Sequence, residues 1–260
     1  MIAYYYLNLL KVKLIKGLKN TAGRNFLGRI CIFGRGSGQK RRYRYIDFFR
    51  RLNSYGTILK FYRDPIRTAK LALILYLNGF AAYSLVQQGV IINQLIYAGN
   101  SSPNNIDFIK NGYSLILKYM PLFTSLSNIE LKPLLGSKLV RAASVNAIII
   151  VKNQNFATIK LNSNWLLNIS IECIASMGRM SSIFFNDIII GKAGKNRALG
   201  FRPKVRGVAK NPCDHPHGGG NGKKAKPTVP VNAWKTVFKW RSTKLKKTDR
   251  EKRRFYKNLE

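Results

Sequence analysis

The chain has 260 residues, of which 46% are hydrophobic, enough to bury a sizeable core and too many for a disordered polycation. Against 10 Asp and Glu stand 46 Lys and Arg, a net charge of +36. That excess destabilises a compact fold unless a polyanion neutralises it, so nucleic acid or an anionic membrane surface is implied. The three cysteines, Cys31, Cys173 and Cys213, form no CxxC pair, which argues against a disulfide framework or a zinc ribbon and fits a reducing compartment.

In chain order, the first twenty residues mix apolar and basic side chains. They lack the Ser/Arg richness of a transit peptide and the small-residue cleavage site of a secretory signal. Gly23 to Arg51 follows, with nine cations against the single Asp47. Its GRGSG stretch lets backbone approach a phosphate, and QKRRYRY interleaves cations with Tyr43 and Tyr45. Phosphate contact plus base stacking suits that mixture, and a nucleotide-binding loop suits it less. There is no GxxxxGK[ST], and no helix is expected after the glycines.

The interior reads as β-sheet. Leu71–Leu77, Asn78-Gly79 and Phe80–Val86 predict a hairpin with a two-residue type I′ turn. Asn146–Lys152, Phe156–Leu161 and Trp165–Ile171 predict three more strands, separated by the turn chemistry of KNQN and NSN. Pro103-Asn104-Asn105 marks a boundary between two small antiparallel barrels. No segment qualifies as a membrane span: the most apolar run, Leu71 to Val86, is short and broken by Asn78-Gly79. Between Leu71 and Ile190 eight basic residues face four acidic ones, so +32 of the net charge lies in the other 140 residues, at the two ends.

After Gly191, Gly or Pro recurs every few residues among steady cations, which predicts an extended arm that orders only on its partner. Within it, NPCDHPHGGG holds both histidines. Cys213, Asp214, His215 and His217 are all metal-ligand types, but His-Pro-His lacks ligand spacing and there is no second cluster. Cys213 beside His215 is a thiol–imidazole pair without an enclosed pocket, in a loop expected to be flexible. Glycines packing against sugar-phosphate, with histidines stacking or hydrogen-bonding to bases, is the favoured account.

Four segments then carry a resemblance. GRNFLGRICIFGRGSGQKRRYRYIDF, FYRDPIRTAKLALILYLNG, SNIELKPLLGSKLVRAA and GKAGKNRALGFRPKVRGVAKNPCDHPHGGG occur in this order. Together they closely resemble large-subunit ribosomal protein two, the universal uL-two family, from about Gly23 to Trp240. The resemblance implies a mainly β protein: an OB-like barrel, then an SH3-like barrel, with extended basic arms. The division expected is 1–24 tail, 25–105 OB-like domain, 106–190 SH3-like barrel and 191–260 arm. It also implies large-subunit rRNA, neighbouring ribosomal proteins and the small subunit as partners, and an arm reaching toward the peptidyl-transferase region. No catalytic residue, cofactor, metal, membrane or small-molecule substrate is expected.

The rRNA contacts expected are Arg24, Arg29, Arg35, Lys40, Arg41, Arg42, Tyr43 and Arg44 at the first barrel. In the arm they are Lys192, Lys195, Arg197, Arg202, Lys204, Arg206, His215, His217, Gly218, Gly219 and Gly220. The chain departs from the family pattern at Gln39, Ala198, Lys210 and Cys213, where His, Trp, Met and Val are usual. Ala198 removes one expected stacking contact. Abundant Ile, Asn, Lys, Tyr and Phe suit an AT-rich genome, so a mitochondrial ribosome is expected, with a plastid or a bacterial cytoplasm as the alternatives.

Overall fold

The computed structural model describes residues 14–100, 110–220 and 230–235. They fall into two compact units. One holds residues 14–19 and Arg41–Ile189 (less those not described); the other holds Asn20–Lys40 and the described residues from 190 to 235. The expected boundary at residues 103–105, most of the N-terminal tail and the cationic run after residue 235 lie outside the described residues.

The first unit is built of strands, as expected. In chain order they are β1 (Ile15–Leu18), β2 (Arg41–Arg44), β3 (Ser54–Arg63), β4 (Lys70–Tyr76), β5 (Ala81–Leu85) and β6 (Leu95–Ala98). Next come β7 (Ser114–Ile116), β8 (Ser125–Ser127), β9 (Ile129–Glu130), β10 (Ser137–Leu139), β11 (Ala147–Lys152), β12 (Phe156–Leu161), β13 (Leu166–Ser170) and β14 (Ile174–Met177). Ten of them hydrogen-bond in the order β5-β4-β3-β6-β7-β14-β8-β11-β12-β13. All neighbours are antiparallel except β6 and β7, which meet through one parallel pair, Ala98 with Ser114. That single pair divides the sheet into a group of four strands and a group of six. The register shifts after Ile58 in β3 and after Ile149 in β11, one bulge in each group, the kind of irregularity that lets a sheet curl toward a barrel.

The unbroken apolar run of β4 has a simple cause. Ala72, Ile74 and Tyr76 enter the large core shared with Leu115, Leu126, Ile149 and Ile159. Leu71 and Leu73 point the other way, into a second cluster with Tyr83, Leu85 and Met180. A strand buried on both faces does not alternate. By contrast β12 alternates as a one-sided strand should, with Ala157 and Ile159 buried and Lys160 exposed.

The expected hairpin forms in register, Leu71 opposite Leu85 and Leu75 opposite Ala81, but its turn differs from type I′. Only Gly79 takes a positive φ, 79°; Asn78 does not. Gly79 N–H donates to the Tyr76 carbonyl and Tyr76 N–H to that of Phe80. This is a three-residue loop, a tight turn closed by a left-handed residue. The NSN loop repeats it: Asn164 (φ 62°) donates to the Leu161 carbonyl, and Leu161 N–H donates to that of Trp165.

The polar interior is concentrated where the two strand groups meet. Arg50 is 1% exposed and has a left-handed backbone, φ 50°. Its guanidinium donates to the Asn128 carbonyl (2.6 Å), to Ser114 Oγ (2.8 Å) and to Ser176 Oγ. Arg51 donates to Asn100 Oδ1 at 3.0 Å and pairs with the buried Glu130 at 2.9 Å, whose same oxygen accepts Ile174 N–H at 3.0 Å. Two cations that sequence assigned to a basic surface segment are therefore internal struts. A hydrogen-bonded or carboxylate-paired site is the condition on which a buried cation is tolerated.

Candidate nucleic-acid interface

In the second unit the two basic segments of the sequence come together. Gly36 N–H donates to the Gly200 carbonyl, Gln39 N–H to that of Ala198, and Arg202 N–H to that of Gly34, each at 2.9–3.0 Å. Arg35 and Phe201 form an antiparallel bridge between them. The arm thus pairs with the chain's own N-terminal loop, where sequence reasoning expected order only on an external partner. The glycines make the approach feasible. Gly38 has φ +61°, and a Cβ there would lie 2.7 Å from the Ala198 carbonyl and from Gly200 N. Gln39 and Ala198, two departures from the family pattern, are thereby backbone neighbours.

This pairing gathers Arg24, Arg29, Arg35 and Lys40 with Lys192, Lys195, Arg197, Arg202, Lys204 and Arg206, all exposed. The only acid among the unit's described residues is Asp214. Lys195 and Arg197 sit in the helix Ala193–Ala198, and Arg197 donates to the Phe201 carbonyl at 2.7 Å. The Arg35 guanidinium lies 4.6 Å over the Phe201 ring, a contact that fixes the side chain while leaving N–H groups for an anion.

Arg41, Arg42, Tyr43 and Arg44 lie instead on β2 in the first unit, paired with β1. They are not equivalent. Arg42 is exposed, whereas Arg44 pairs with Asp64 at 3.3 Å, and Asp64 also holds Arg67 at 3.1 Å. Arg67 in turn lies 5.7 Å over Tyr43 and 5.6 Å over Phe48, and Arg141 lies 5.0 Å over Phe48. Arg67 and Arg141 were missed in the sequence. Nothing local marks them, because their company is assembled from three distant segments.

The histidine loop is a compact turn, contrary to the flexible loop expected. Asp214 and His215 N–H groups donate to the Asn211 carbonyl, Gly218 N–H to that of His215, and Gly219 N–H to that of Lys210. Gly218 is buried, and a Cβ there would meet the Asn211 and Lys210 carbonyls at 2.4–2.5 Å. His215 Nδ1 accepts His217 N–H at 3.0 Å, and His217 Nε2 accepts Val231 N–H at 3.3 Å. Each accepting nitrogen is thereby occupied by a backbone N–H, and for His215 this calls for the neutral imidazole with its proton on Nε2. Desolvation, then the nearby His217 and Lys210, lowers the pKa of His215 and favours that neutral form. Among the described residues no three His, Cys, Asp or Glu side chains cluster as metal ligands. Phe33, Lys210 and Trp234 complete the surface: Phe33 and Trp234 stack at 4.7 Å, with Lys210 Nζ 4.8 Å from the Phe33 ring centre.

Two known protein-family patterns match the chain in succession, dividing it between residues 98 and 110 and not along the two compact units. A family model described as "Ribosomal Proteins L2, RNA binding N-terminal domain" matches residues 11–98. Another, "Ribosomal Proteins L2, C-terminal domain", matches residues 110–235. Large ribosomal subunit protein uL2 of Rickettsia bellii (strain OSU 85-389) is 41% identical over 235 residues, covering 90% of this chain and 84% of the relative. That of Orientia tsutsugamushi (strain Ikeda) is 42% identical over 241 residues, covering 92% and 85%. That of Brucella canis is 41% identical, covering 90% and 83%. The chain belongs to the ribosomal protein uL2 family, and with it to the structural, non-enzymatic, RNA-binding constituents of the large ribosomal subunit.

Proposed function

We propose that the protein binds large-subunit rRNA through the exposed cations of both units, with the paired basic segments as the principal surface. The observation that carries this is the pairing of residues 34–39 with 198–202. It concentrates ten exposed cations around a backbone rich in glycine, with Asp214 as the sole described acid of the unit. On the first unit Arg41 and Arg42 add phosphate contacts beside Tyr43, while Arg44 serves chiefly to hold Asp64.

The histidine turn supports RNA architecture near the peptidyl-transferase region, helped by Gly218, Gly219 and Gly220, and supplies no base. A general base needs a lone pair available to substrate, and the accepting nitrogens of His215 and His217 are engaged by backbone N–H groups. The partners are rRNA, neighbouring ribosomal proteins and the small subunit across the intersubunit face. The barrel division at 105/106 and the arm from 191 remain part of this proposal.

The ribosome is that of an organelle, mitochondrial before plastid. The 13 Tyr and 14 Phe, with abundant Ile, Asn and Lys, are residues of AT-rich codons, which supports this over a bacterial cytoplasm. A coding sequence located in a bacterial or nuclear genome would overturn it. The functional test is sedimentation of a native lysate. The protein should co-migrate with large-subunit rRNA and move to the top of the gradient after RNase. A light, RNase-insensitive peak would refute the rRNA role.

A further inference from the structure

Within the second unit, one aromatic surface is built more firmly than packing alone requires. Trp234 and Phe33 stack with centroids 4.7 Å apart and planes 29° from parallel, yet they stay 49% and 41% exposed. Other large apolar side chains are exposed too, Phe26 and Phe184 among them, but here two rings are stacked and held, leaving one half-covered π-face open to a partner. They are held on several sides. Trp234 N–H donates to Asn232 Oδ1 and Lys235 N–H to the Asn232 carbonyl, both at 3.0 Å, which fixes the turn carrying the indole. Val231 N–H is anchored on His217 Nε2. Lys210 Nζ sits 4.8 Å from the Phe33 ring centre.

We propose that the exposed side of Trp234 is a stacking platform for one unpaired RNA base, with Phe33 behind it and Lys210 supplying positive charge beside the stack. This rests on the rRNA reading above and names the kind of nucleotide that the surface selects. An indole presents a wide π-face that any base can cover, and cations nearby suit the flanking phosphate. A base inside a duplex is already stacked on both faces, so the platform discriminates for single-stranded, bulged or looped nucleotides. A protein partner is disfavoured by the charge of the unit, with Asp214 as its one described acid.

The test uses the full chain with Trp165→Phe and Trp240→Phe, leaving Trp234 as the only indole. A short oligoadenylate and a fully paired RNA duplex of the same length are titrated separately, following both binding and tryptophan emission. Oligoadenylate should quench Trp234 and the duplex should bind with little quenching. In otherwise native chain, Trp234→Ala should weaken oligoadenylate binding roughly 5- to 150-fold, with Trp234→Tyr recovering most of the loss. Binding of both RNAs with unchanged emission overturns the platform and leaves the rRNA role intact. Failure of oligoadenylate alone to bind overturns the platform, and failure of both RNAs to bind overturns the rRNA reading with it.

Discussion

Arg50 offers the sharpest test of what joins the two strand groups of the first unit. Its guanidinium makes three donations, to Ser114, Ser176 and Asn128. Hydrogen bonds from a charged group contribute roughly 1.5–3 kcal/mol each, so the set gives about 5–9 kcal/mol. Burial opposes this. Desolvation, partly offset by Asp47, Tyr76 and Glu130, pushes the guanidinium down from 12.5 to about 10, a cost of about 3 kcal/mol at 1.36 per unit. The side chain is 1% exposed, so solvent screening gives little discount. Arg50→Ala should therefore lose about 2–6 kcal/mol, centred near the 3–5 typical when one partner of a buried polar set is removed. Arg50→Met keeps most of the volume, and Ser114 and Ser176 still bond each other at 2.9 Å. Only the Asn128 carbonyl is then orphaned, and the expected loss is about 1–3 kcal/mol. Urea unfolding of both variants at neutral pH, followed by circular dichroism, measures the difference. An Arg50→Ala protein within about 1 kcal/mol of wild type would refute the reasoning.

The other predictions are these. Asn164→Gly should stabilise the protein by up to about 1 kcal/mol, since glycine takes the left-handed φ without steric cost; thermal unfolding would show it, and a loss would contradict the loop assignment. Burial, with Glu130 adding to it and Arg51 opposing, pushes the Cys173 thiol up to about 12 from 9, so the folded state retains a proton that the unfolded state releases. Its stability contribution is complete below pH 9 and is lost as pH rises toward 12; by pH 10 the loss is about 1.4 kcal/mol, and Cys173→Ala should lack that slope in pH-dependent unfolding. In the same native protein, alkylation should label Cys31 and Cys213, which are exposed, and spare Cys173. Arg42→Ala should lower the salt slope of rRNA binding by roughly one without unfolding the chain. Arg44→Ala should instead destabilise it by about 1–3 kcal/mol, because the buried Asp64 keeps only Arg67 as a cationic partner, beside the Ile66 N–H; equal behaviour of the two variants would erase the distinction drawn between them.

Local chemistry made most strands legible. The meander β11-β12-β13 follows β-branched and aromatic runs cut by asparagine-rich turns, and it forms with the expected ends to within about two residues. What local chemistry does not encode is partner identity at long range. Phe48-Phe49-Arg50-Arg51 reads as the end of a basic segment, and nothing in it shows that two of its cations meet Ser114, Ser176, Asn128 and Glu130 in the interior. The same holds for Gly36 and Gly200. Each segment alone is Gly-rich and cationic, the composition of a disordered tract, and only their pairing supplies backbone partners. The histidine turn was misjudged for a related reason: glycines there admit close packing of neighbouring carbonyls, which composition cannot distinguish from looseness.

That pairing also has a consequence for how the chain is made. Gly36 leaves the synthesising ribosome some 164 residues before its partner Gly200. At 5–20 residues per second the interval is roughly 8–33 s. Throughout it the strands of the first unit are being completed while the N-terminal loop, with four exposed cations, has no backbone mate. A nascent segment of that charge is open to any polyanion nearby, so the order of synthesis itself leaves the N-terminal cations accessible to RNA before the second unit closes.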